Sequence, residues 1–136
     1  MILKSFEIEK NIENISKFKF TLIYGENLGL KDKLKNEIIR VFNNYEIINI
    51  HQEDFNKNKD ILVNEFKNSS LFSNKKLIIV NQASDKLTKD IEELKNGKEN
   101  TKIVLISELL DKKSKLRYLF EKNKKLVCVP FYADTA

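Results

Sequence analysis

Leu77-Ile78-Ile79-Val80, Ile103-Val104-Leu105-Ile106 and Leu126-Val127-Cys128-Val129 are three short runs without a single polar residue. A strand with one wet face alternates apolar and polar residues. An unbroken apolar run of four instead fits a strand covered on both faces, as in a parallel sheet between helical layers. Working outward, Phe20–Tyr24 and Tyr45–Ile50 are two further β-rich runs. Five strands are therefore expected, at Phe20–Tyr24, Tyr45–Ile50, Lys76–Val80, Lys102–Ile106 and Leu126–Val129. The intervening segments have helical spacing. Leu30–Asn43 puts Leu34, Ile38 and Val41-Phe42 on one stripe, and Asp60–Asn68 has Leu62 and Phe66 four apart. Ser84–Asn96 carries Leu87, Ile91 and Leu94, with Gly97 as a stop. Asp111–Lys122 carries Leu116 and Leu119-Phe120, with Asp111 in place to cap it. An amphipathic segment near Phe6–Ile15 precedes the first strand. Right-handed crossovers turn this strand–helix alternation into an α/β three-layer sandwich around a five-stranded parallel sheet.

The chain has 136 residues, enough for one domain that buries roughly two-thirds of its unfolded surface. Three glycines and one proline exclude collagen-like or Gly/Pro-rich classes, and the lone Cys128 excludes an internal disulfide. The opening Met1–Glu7 breaks its apolar residues with charge too early for a signal peptide, and no apolar run approaches the ~20 residues of a membrane helix. A cytoplasmic protein without membrane association is expected. The formal charge of +5 comes from 25 basic residues, of which only Arg40 and Arg117 are arginines. The lysines are interleaved with 20 acidic residues, which reads as solvated faces rather than a dedicated DNA-binding face. No surface combining aromatic residues with arginine is evident.

Ligands of open α/β sheets bind at the carboxyl ends of the strands, so the residues there test for chemistry. Gly25-Glu26-Asn27-Leu28-Gly29-Leu30-Lys31-Asp32 follows the first strand. A phosphate loop reads G-x-x-x-x-G-K-[ST]; here the second glycine comes early, Leu30 precedes the lysine, and Asp32 replaces the hydroxyl residue. The third strand ends in Asn81-Gln82, where a nucleotide hydrolase needs a carboxylate for magnesium. Ser107 reads as a turn residue and His51 as a strand-terminal surface residue; neither has the partners of a nucleophilic site. A phosphoacceptor domain would need an acidic pair after the first strand, Asp after the third and Lys after the fifth. The sequence has only Glu26, Asn81 and Pro130 there. One Cys and one His make no metal cluster, and Cys128 reads as a buried hydrophobe. No catalytic, cofactor or metal residues are assigned, and an enzyme is not expected.

Leu71 and Phe72 are out of place. They stand in Asn68–Lys76, a helix-to-strand corner that is otherwise polar, with Ser69, Ser70, Ser73 and Asn74. Either they fold under and close the core, or they form an exposed wedge for another protein. A helix-to-strand corner lies at the amino edge of the sheet, opposite the nucleotide edge, which makes it a partner surface if it functions at all.

Three blocks in order, Leu22-Ile23-Tyr24-Gly25-Glu26, Ser70 through Val80, and Leu110-Asp111-Lys112-Lys113-Ser114-Lys115-Leu116, resemble the amino-terminal domain of the delta subunit of the bacterial DNA polymerase III clamp loader. The resemblance implies a Rossmann-like, AAA+ P-loop architecture that has lost ATP binding, with strand order 5-1-4-3-2. It implies that residues 1–136 are one AAA+-like domain of a longer subunit, cut before the lid and collar domains. It further implies binding of the sliding clamp (beta subunit) through Ser70, Leu71 and Phe72, with Phe66 and Ser69 as flanking contacts, and help in opening the ring. Other clamp-loader subunits would be partners of the full-length protein, and DNA would be reached through the complex. The competing expectations are an ATP-binding subunit of the same type and a weak DNA-binding module.

Overall fold

The computed structural model describes residues 1–4, 12–68, 75–97 and 100–132. The element order is α1 (Glu13–Ser16), β1 (Phe20–Tyr24), α2 (Leu28–Val41), β2 (Glu46–Ile50), α3 (Gln52–Lys57), α4 (Ile61–Asn68) and β3 (Lys76–Asn81). A 3₁₀ turn (Asp85–Leu87), α5 (Thr88–Leu94), β4 (Thr101–Ile106), α6 (Lys115–Lys122) and β5 (Leu126–Pro130) follow. All five strands are parallel in the order β2-β3-β4-β1-β5. This is the expected sheet and the expected strand order.

The apolar strands divide their side chains between two layers. Leu77, Ile79, Val104 and Val129 face one cluster, into which Leu34, Ile38 and Phe42 of the α2 region pack. Ile78, Val80, Ile103, Leu105 and Cys128 face the other, formed with Leu62 and Phe66 of α4, Ile91 and Leu94 of α5, and Leu116 and Phe120 of α6. The chain crosses from β1 to the far edge of the sheet and then works back, so right-handed crossovers put α2 on one face and α4–α6 on the other. Alternate residues of β3, β4 and β5 are buried by different helices, which is why their apolar runs show no polar breaks, whereas the edge strand β2 exposes Glu46 and Asn49.

Local chemistry fixes the helix ends. Asn27 caps α2, its Oδ1 accepting from Leu30 N at 3.1 Å. The helix expected from Asp111 starts later. Ser114 is its cap, with Oγ accepting from Arg117 N at 3.2 Å, while Asp111 accepts from Lys113 N in the turn before it. Asp85, from the 3₁₀ turn, decides this start: its Oδ1 accepts from Ser114 Oγ at 2.6 Å and from Leu116 N at 3.2 Å. Helix α3 was not expected; it has no buried residue and therefore no apolar period to reveal it. Most of the opening amphipathic segment at Phe6–Ile15 lies outside the described residues. Met1–Leu3 runs parallel to β5, with Leu3 N donating to Cys128 O and Cys128 N to Met1 O, both at 2.9 Å. The Met1 ammonium donates to the carbonyls of Phe120, Asn123 and Leu126 and so covers the carboxyl end of α6.

Candidate functional site

At the carboxyl edge, the loop after β1 is occupied by its own protein. Gly25 has φ +127°, and a Cβ built on it would lie 1.9 Å from the Phe131 carbonyl oxygen. The chain leaving β5 thus passes directly over this glycine. Phe131 N donates to Tyr24 O at 2.7 Å, Asn27 N to Phe131 O at 3.2 Å, and Gly25 N to Glu108 O at 3.2 Å. Lys31 is buried, and its ammonium donates to the Ser107 carbonyl at 2.9 Å. Burial holds the Lys31 pKa below the ordinary lysine value, with Glu108 and Asp32 acting in the opposite sense.

These contacts test the loop for a nucleotide. A phosphate cradle offers free backbone N–H groups and a lysine reaching the phosphates. Here Gly25 and Asn27 donate to protein carbonyls, the lysine is turned inward, and the site of closest approach is filled by Phe131. Asn81 stands where a magnesium carboxylate is required. The residues do not fit a bound nucleoside triphosphate.

The other residues at this edge are structural. Ser107 is buried, its Oγ donating to Ala83 O at 2.7 Å, and His51 is exposed, its backbone N–H held by Asp54 Oδ2 at 2.8 Å. Burial pushes the Cys128 thiol up to about 11, so it stays protonated and unreactive at neutral pH. Among the described residues no group of three or more His, Cys, Asp or Glu side chains is placed to hold a metal ion.

At the amino edge, α4 and β3 lead into and out of the corner that carries the apolar pair. Ser69, Ser70, Leu71 and Phe72 lie outside the described residues. Both approaches to them are fixed. Phe66, one turn before the corner, is fully buried and stacks on Phe20 with ring centroids 5.8 Å apart and planes 23° from parallel. A direct flanking contact by the Phe66 ring does not fit this burial; α4 turns that ring into the sheet, and the residue anchors the end of the helix. Across the gap, Lys76 pairs with Glu65 at 3.3 Å, and Glu46 N donates to Lys75 O at 2.8 Å, holding the start of β3 in the sheet.

The family described as DNA polymerase III, delta subunit, matches residues 22–130, most of the chain. The chain belongs to that family. The match runs from within β1 to the end of β5 and so covers all of the sheet but the first two residues of β1, as an amino-terminal domain of the delta subunit. Delta subunits are non-catalytic components of the clamp loader, and membership implies a clamp-loader role in DNA replication. No curated protein matches the sequence. Among the described residues of this delta-subunit chain, no helix is long and apolar enough to cross a membrane.

Sequence reasoning found the odd phosphate loop and the apolar corner. It missed what Lys31 and Asp85 do, since both act through contacts with residues 76 and 29 positions away. It also missed Phe131 as the cover over Gly25. A glycine ending an apolar strand was the available signal for a close backbone approach.

Proposed function

We propose that this delta-subunit domain, with its AAA+ type of architecture, binds the sliding clamp through Ser70, Leu71 and Phe72, and that this binding favours an opened ring. The observation that carries the reading is the apolar pair itself, set in a polar corner between two firmly held elements. Phe66 locks the end of α4, and the Glu65–Lys76 pair ties that helix to β3. Ser69 flanks the pair from the helix side. A rigid base suits a wedge, because α4 and β3 need no ordering when it docks.

A closed ring opens only if a binder prefers the open or strained form. Two apolar side chains entering a pocket supply roughly 1.5–3 kcal/mol each when fully buried. Contacts made by adjoining residues only with a distorted clamp interface would convert that affinity into opening. The carboxyl edge supports a purely mechanical part for this domain, with ATP acting on other subunits of the complex.

The test is a titration of purified sliding clamp against the chain and against its Leu71→Ala/Phe72→Ala variant. At least tenfold weaker binding with an unchanged circular dichroism spectrum is expected. Unchanged affinity refutes the wedge. Loss of the folded spectrum also refutes it, since it would show that the pair closes the core.

A further inference from the structure

Helices α5 and α6 enclose a cleft of about 480 Å³ on the outer face of the domain. Lys112, Lys113, Lys115 and Lys122 line it against one carboxylate, Glu92. All four lysines are exposed. Tyr118 stands among them with 60% of its surface exposed, and the Lys122 ammonium lies 5.8 Å from its ring centroid. Leu119 adds an apolar wall beside the ring. The basic character continues past the end of the helix. Asn123 closes the cleft, and the next two residues, Lys124 and Lys125, line a second hollow of about 420 Å³ with Lys17, Lys19 and Lys95. Among the described residues no carboxylate lines that second hollow.

We propose that this lysine-lined cleft, with Tyr118 in it, is a binding site for single-stranded nucleic acid, with the lysines on phosphates and a base stacked on the Tyr118 ring. Three observations favour a strand over an acidic protein surface. Lysine is depleted in protein–protein interfaces but is a main phosphate contact. An exposed aromatic ring within a basic groove is the arrangement that holds unpaired bases, because every base has a π-face. The basic lining is also linear: it follows the eight residues of α6, about 12 Å of rise, and extends to the amino edge of the sheet. The Lys112-Lys113-Ser114-Lys115 block is thereby given a use that clamp binding leaves open. This site is separate from the α4–β3 corner and does not depend on the clamp reading.

The experiment is fluorescence anisotropy of a labelled 20-nucleotide oligo-dT titrated with the 136-residue chain at 25–150 mM NaCl. Binding is expected with a slope of log K against log salt of about −3, as for four phosphate contacts on a single strand. Tyr118→Ala should weaken it at least fivefold and Lys113→Glu/Lys122→Glu at least tenfold, with unchanged thermal melts, since all three side chains are exposed. A 20-base-pair duplex should bind more weakly than the strand. Inorganic phosphate should compete no better than chloride at equal ionic strength. The Leu71→Ala/Phe72→Ala variant should bind the strand like wild type, which keeps a failure here distinct from a failure of the wedge. The proposal is overturned by no binding at 25 mM NaCl, by an indifferent Tyr118→Ala, or by preference for duplex. Displacement by phosphate, or cleft variants that lose purified sliding clamp but not oligo-dT, would overturn it as well.

Discussion

Replacing Gly25 with alanine asks whether the chain leaving β5 really covers the loop after β1. A Cβ at this position meets the Phe131 carbonyl oxygen at 1.9 Å, its carbonyl carbon at 2.5 Å and its nitrogen at 2.9 Å. These are backbone atoms, so no side-chain rotation relieves the clash. The φ of +127° belongs to a region open essentially only to glycine, and holding alanine there costs about 1–3 kcal/mol. Moving Phe131 aside breaks its hydrogen bonds to Tyr24 and Asn27, each contributing about 0.5–1.5 kcal/mol. It also draws a nearly buried ring, 4% exposed, toward water. A loss of at least about 3 kcal/mol follows, a large part of the 5–15 kcal/mol typical of a whole domain. Urea unfolding followed by circular dichroism should show a midpoint lower by about 1 M or more, given slopes of about 1–3 kcal/mol/M for small proteins. Gly29→Ala is the control. Its nearest neighbour would be 3.8 Å away inside α2, so it should be neutral or stabilising by up to about 1 kcal/mol. A Gly25→Ala protein within 1 kcal/mol of wild type would refute the placement of Phe131 over the loop.

Lys31→Met keeps the buried stem but removes the ammonium; relief of desolvation opposes loss of the Ser107 contact, so stability at pH 7 should change by no more than about 1 kcal/mol. Because the folded pKa lies below 10.5, the unfolded state binds the proton more tightly, and wild type should gain stability over Lys31→Met as pH rises toward 10.5; thermal melts showing a decline would reject this. Phe66→Ala should cost about 3–5 kcal/mol in urea unfolding by emptying a fully buried, stacked site, and Phe66→Leu clearly less; a cost below 1 kcal/mol for the alanine variant would contradict the burial. Asp85→Asn should cost about 1 kcal/mol at pH 7 through the weakened start of α6. The Ser114 hydroxyl holds the Asp85 pKa below its ordinary 3.8, so this contribution is present above that value and lost as pH falls through the lower folded pKa. A gap between wild type and Asp85→Asn that persists at pH 2 would argue against the assignment.

Much of this fold was legible because its strands are buried on both faces. Leu77–Val80 and Ile103–Ile106 left no polar residue to obscure them, and Leu62 and Phe66 declared the inner face of α4. What stayed hidden depended on distant partners or on the lack of any core. Helix α3 has no fully buried residue and sets only Phe55 partly against the core, so its residues carry no period. The start of α6 is set by Asp85 rather than by Asp111, the better-placed cap in sequence. In the candidate site, Leu71 and Phe72 stood out as apolar residues in a polar corner. Phe66 joined them through family resemblance, although its spacing with Leu62 already assigned it to the core. The α5–α6 cleft escaped notice because its far wall, Thr88 and Glu92 of α5, meets the Lys112–Lys122 segment only when two helices pack side by side.

The path of Phe131 also limits what point substitutions can achieve. Suppose Asp32 became threonine and the glycine spacing were repaired, giving a consensus phosphate-binding sequence after β1. Gly25 would still lie beneath a backbone carbonyl, and Asn27 would still be bonded to it. Making room for a ligand there means rerouting the exit of the fifth strand, a change in the path of the chain at the edge rather than in spelling. The obstacle is main chain, which no side-chain substitution removes.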